Sequence, residues 1–258
     1  MSPPVRRKPP EVLELERREA IVDELEERLA ERERVLADIL AEQARFRGEY
    51  NRHVGRLMAE LDQIEAEIAR LKHRREPENE TLKKQAEEAE ARAKVTDDEF
   101  SARQAKATAV PPTPELKAAF KKAVKAIHPD LAVDDEDREK RHELMVQLND
   151  AYERGDLDAV EHITDDYQLR SRPDEPGARL ILAIRQEARI GQRLEEIEME
   201  IHQAGQNETA KLMEEAQAYG KAGRDIFKEM AEQIERELKF ARGERHDLNL
   251  KSQSIIEL

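Results

Sequence analysis

The chain has 258 residues, of which 40% are charged and 3% aromatic, with no Trp; that balance leaves too few large apolar side chains for one large core. The net charge of −14 repels a phosphate backbone from the chain as a whole, so nucleic-acid binding would need a local basic patch. The absence of Cys excludes a disulfide framework, a thiolate metal site and Cys chemistry, and suits a reducing compartment.

Ala, Glu, Leu, Lys and Arg dominate, the composition of long helices. Nine Gly and eleven Pro in the whole chain are too few for an all-β fold with frequent turns. No apolar run is long enough to span a bilayer. The opening MSPPVRRKPPEV carries no apolar stretch after its basic residues, so it does not read as a secretory signal. A cytoplasmic, all-α protein with no membrane and no nucleic-acid partner is expected.

Residues 1–10, with four prolines, read as a disordered lead. An N-terminal arm follows over 11–109. Val22, Leu25, Leu29, Leu36, Ile39, Phe46 and Tyr50, and then Val54, Leu57, Leu61, Ile64, Ile68 and Leu71, follow the alternating three- and four-residue steps of a coiled-coil seam. Arg32 and Gln43 fill seam places. Two four-residue steps adjoin at Phe46, Tyr50 and Val54, a stutter that locally unwinds a supercoil. Pro77 should kink or restart the helix, and beyond it the apolar face is mostly alanine, at Ala86, Ala89 and Ala93. A helical seam resumes in a C-terminal arm over 175–258, through Ile190, Leu194, Ile197 and Ile201, weakens around Gly205 and Gly220, and recovers at Ile226 to Leu238. The simplest burial of both seams is antiparallel packing of the two arms in one chain; pairing between two chains, a homodimer, is the alternative.

A compact module over 112–170 separates the arms. Thr113 is a good N-cap with Pro114 at the first helical position. Leu116, Phe120, Val124 and Ile127 form one helical stripe, and Lys117, Lys121 and Lys125 a neighbouring one with Lys122 beside them. Pro129 disfavours helical geometry at His128 and ends the helix. An acidic stretch, Val133 to Asp137, precedes a second helix that turns Leu144, Leu148 and Tyr152 inward and stops at Gly155. Asp156 caps a short third helix with Leu157, Val160 and Ile163. Phe120 and Tyr152 are expected to pack between the first two.

A basic helix, His128-Pro129-Asp130 and a second helix ending Gln147-Leu-Asn-Asp-Ala-Tyr-Glu153 resemble the J domain of DnaJ-like co-chaperones. The resemblance implies that His128, Pro129 and Asp130 form an exposed loop that triggers ATP hydrolysis by a DnaK-type chaperone. It also implies that Lys117, Lys121, Lys122 and Lys125 form the electropositive docking face. The family's first helix, with its Tyr-Tyr-x-x-Leu-Gly opening, is not found before Pro111, and Leu131 stands where the family often has Lys. No Gly/Phe-rich linker and no Cys-rich zinc module follow.

The fold expected is therefore all-α: long antiparallel coiled-coil arms carrying a small helical J-like module. The function expected is a co-chaperone or adaptor, not an enzyme, whose arms bind an unidentified client or set oligomeric state. No Gly-rich phosphate loop and no His/Asp/Glu spacing for a metal point to a cofactor. A coiled-coil scaffold with a degenerate J-like module is the rival reading.

Overall fold

The computed structural model describes residues 9–104, 111–165 and 174–256. The lead to residue 8, the boundary at Val110 and the start of the one at 171–177 lie outside them. In chain order the elements are α1 (Pro10–Tyr50), a π-helical turn (Asn51–Gly55), α2 (Arg56–Arg75), α3 (Glu80–Gln104), α4 (Pro114–Ile127), a 3-10 turn (Pro129–Leu131), α5 (Asp135–Arg154), α6 (Leu157–Asp165), α7 (Pro176–Gln206), α8 (Glu208–Lys221) and α9 (Ile226–Ile256). The protein is all-α, with no strand among the described residues. No described helix is long and apolar enough to cross a membrane.

Two compact units form, residues 1–43 with 109–207 and residues 44–108 with 208–258. Each thus draws on both arms rather than coinciding with an arm or with the module.

In the first unit, Val22, Leu29 and Leu36 of α1, seven residues apart, bury against Ala183, Ile190, Leu194 and Ile197 of α7. Polar residues at seam places find partners. Gln43 donates to the Ala204 carbonyl at 2.7 Å and accepts from Asn207 at 2.9 Å, while Arg32 pairs with Glu198 at 2.5 Å. The order of contacts corrects the antiparallel expectation. Glu19 meets Arg179, Glu33 meets Arg193 and Gln43 meets Ala204, so α1 and α7 run parallel.

The second unit repeats this with α2 and α9. Glu60 meets Arg242 and Glu67 meets Arg245, again in parallel order, over a core of Val54, Leu61, Ile64, Ile68, Ile234, Leu238 and Ala241. The antiparallel partner of α2 is α3, through Arg70–Glu90 and Arg92–Glu65. Pro77 sits in the turn between them, and Asn79 starts α3 by accepting from Thr81 N–H at 3.1 Å. The chain reverses inside its first arm, so the return leg lies there and not in the C-terminal arm. Ala66, Ala89 and Ala93 pack where α2 and α3 meet; small side chains let two helices approach closely. The stutter appears as the π-helical turn at Asn51–Gly55. Its wider turn keeps Tyr50, Val54 and Leu57 on the core side.

Candidate functional site

The module's local structure follows its sequence closely. Thr113 Oγ1 accepts from the Leu116 N–H at 3.2 Å, which starts α4 behind Pro114. Leu116, Phe120, Val124 and Ile127 are all buried. The Phe120 and Tyr152 rings lie 4.4 Å apart between α4 and α5, within a core that Leu148, Ala151 and Val160 complete. Gly155 closes α5 at φ +74°, a left-handed geometry that glycine adopts without steric cost. Asp156 accepts from the Ala159 N–H at 3.0 Å to start α6. The acidic stretch is a helix start as well as a loop. Asp134 accepts from the Asp137 N–H at 2.8 Å, and Asp137 reaches back to the Val133 N–H at 3.1 Å, a reciprocal cap.

His128-Pro129-Asp130 joins α4 to α5, as expected, but it is not exposed. His128 and Asp130 are 3% and 7% exposed. His128 ends α4 with ψ 133°, and its Nδ1 accepts from the Asp130 N–H at 3.2 Å. Its Nε2 lies 3.1 Å from Glu33 of α1, which also accepts from Arg193 of α7 at 2.9 Å. Burial pushes the Glu33 carboxyl up, but the His128 and Arg193 hydrogen bonds outweigh it and hold the group below its ordinary range. Asp130 faces Arg138 at 3.6 Å. Beyond the tripeptide, Gln186 and Arg189 of α7 donate to the Leu131 and Ala132 carbonyls, each at 2.8 Å. The reason for the burial is that a parallel α1–α7 pair carries polar groups matched to this loop.

The lysine stripe is likewise occupied. Lys117 donates to Asp38 at 3.0 Å. Lys121 pairs with Glu27, and with Glu31 at 3.4 Å. Lys125 donates to Glu27 at 2.8 Å. Lys122 is exposed and belongs to none of these pairs. The α1 residue number rises as the α4 number falls, so the two helices run antiparallel. Hydrogen bonds from Lys121 and Lys125 bring the Glu27 carboxyl down to about 2, and Lys121 is correspondingly raised. Asp38 also accepts from Arg34 at 2.5 Å and from the Tyr152 hydroxyl.

A second support is a buried pair within α5. Arg141 and Asp137 are 4% and 1% exposed and 3.0 Å apart. Arg141 also donates to the Ala126 and His128 carbonyls at 3.0 and 3.3 Å, satisfying acceptors that the end of a helix leaves open. The i,i+4 spacing of Asp137 and Arg141 was visible in the sequence, though nothing set it apart from other charged pairs. Glu33, Asp38 and Arg193 carried no local signal.

An open groove of about 880 Å³ runs beside the tripeptide, lined by Pro129, Asp130, Arg138, His142, Val146 and Arg193 among others. No group of three or more His, Asp or Glu among the described residues is placed to hold a metal ion. The chain has no significant match to any family model, curated protein or solved structure.

Proposed function

We propose that the chain is a J-domain-like co-chaperone or adaptor in the cytoplasm. In this reading α4 to α6 are its J-like module. His128-Pro129-Asp130 and the α4 lysines engage a DnaK-type chaperone and stimulate its ATPase. The long helices, paired as coiled coils, bind a client or set oligomeric state. One observation carries the reading: a basic helix and a following helix pack around an aromatic-centred core, which α6 and alanines of α1 complete, with the tripeptide forming the capped turn between them.

The rival reading, a scaffold whose J-like module no longer activates a chaperone, draws on a different observation. His128, Asp130 and three of the four lysines are engaged by the chain's own side chains. A single-turnover ATPase assay with a purified DnaK-type chaperone separates the two. The co-chaperone reading expects stimulation by the wild type and its loss in His128→Gln. A thermal melt of the variant is needed alongside, because His128 is buried. No stimulation by the wild type at any concentration, or equal stimulation by both proteins, would reject the reading.

A further inference from the structure

We infer that α1 is an intramolecular cover for the lysine face of α4, so that the chain carries its own competitor for the partner that this face selects. The inference rests on the co-chaperone reading and adds its regulation.

Four lysines on one short helix select an acidic partner surface by charge complementarity. In this structure such a surface is already supplied from within the chain. Glu27, Glu31 and Asp38 lie along α1 at intervals of four and seven residues, the spacing of one helix face, and meet Lys125, Lys121 and Lys117 in antiparallel order. Glu33, on the same helix, takes the tripeptide histidine. One helix thus occupies both parts of the docking site.

The two sides of α1 are unequal. Toward α7 it buries Val22, Leu29 and Leu36. Toward α4 to α6 its apolar contribution is Ala30, Ala37 and Ala41, which bury little apolar surface per residue, while Leu131 of the module's turn joins the α1–α7 seam. Those alanines share one cluster with Phe120, Leu148, Tyr152 and Val160 of α4, α5 and α6. Beside the buried Glu33–His128 contact, what holds α1 over the lysines themselves is ion pairs at a partly exposed surface. Such pairs are weak and sensitive to salt, so an external acidic surface can exchange with them. An apparent affinity is reduced by the fraction of molecules that are covered; loosening the cover should raise it.

The test compares the wild-type full chain with Glu27→Gln/Glu31→Gln, which removes the charge opposite Lys121 and Lys125 without touching the module. The single Glu27→Gln serves as a milder version should the double variant melt early. Amine acylation followed by mass spectrometry reads cover directly, with exposed Lys122 as the internal reference. Acylation of Lys121 relative to Lys122 should rise in the variants, and the concentration giving half-maximal stimulation of a purified DnaK-type ATPase should fall about threefold or more. Unchanged Lys121 acylation would overturn the cover whatever the ATPase shows. Raised acylation with unchanged half-maximal stimulation would overturn its regulatory role and leave the co-chaperone reading standing. Raised acylation with no stimulation by any of the proteins would reject the co-chaperone reading, and the regulatory role with it.

Discussion

Replacing Arg141 by Met tests whether the turn between α4 and α5 depends on the buried pair beneath it. The substitution keeps most of the side-chain volume but removes the cation 3.0 Å from Asp137. It also removes the donor to the Ala126 and His128 carbonyls. Breaking a buried ion pair by deleting one partner costs about 3–5 kcal/mol, because the remaining charge stays desolvated. The His128 carbonyl keeps the Leu131 N–H as a donor, so the lower bound expected for Arg141→Met is set by the stranded charge, at about 3 kcal/mol. The double variant Asp137→Leu/Arg141→Met removes the stranded charge and should lose less than the single, even though Val133 N–H then loses its acceptor. Hydrogen exchange of the α4 and α5 amides, read by mass spectrometry in the full chain, reports the local free energy without assuming that both units unfold together. A single variant within about 1 kcal/mol of the wild type would refute the reasoning. So would a double variant at least as damaged as the single, since the cost would then not come from an uncompensated charge.

Phe120→Ala should cost about 3–5 kcal/mol, since the ring is fully buried and 4.4 Å from Tyr152; exchange protection in α4 to α6 should collapse while α2 and α3 keep theirs. The Glu27 carboxyl should titrate by NMR near 2 rather than at its ordinary value of 4.5, and Lys121→Ala/Lys125→Ala should return it towards that value. Because the folded value is depressed, the favourable contribution of these pairs is fully present above about pH 4.5 and fades as pH falls toward 2. Cysteines at Glu19 and Arg179 should join through a short bismaleimide within one chain, whereas cysteines at Glu19 and Ala204 should not; the reverse pattern would restore the antiparallel arrangement of the long helices.

Helical periodicity alone determined much of this protein. The seven-residue recurrence of Val22, Leu29 and Leu36 identified the buried face of α1, and Leu116, Phe120, Val124 and Ile127 identified that of α4. Thr113, His128-Pro129 and Gly155 marked helix ends, because caps, proline restriction and left-handed glycine act within a few residues. Even the stutter at Phe46, Tyr50 and Val54 had a local cause, and it became a π-helical turn.

What the sequence could not set was the direction and pairing of the long helices. A seam presents the same apolar spacing to a parallel neighbour as to an antiparallel one, so periodicity carries no sign. The reversal at Pro77 settled it by making α3 the antiparallel partner of α2, and α7 instead lies parallel to α1. That choice brings Glu33 onto His128 and Arg193, 160 residues from Glu33, onto the same carboxylate, and the antiparallel packing of α4 on α1 brings Glu27, Glu31 and Asp38 onto the lysines. Local rules expose a tripeptide turn and a charged helix face, because each is polar and neither needs burial. Only tertiary structure supplies opposite charges and hydrogen-bond acceptors at the right spacing, which makes burying them affordable.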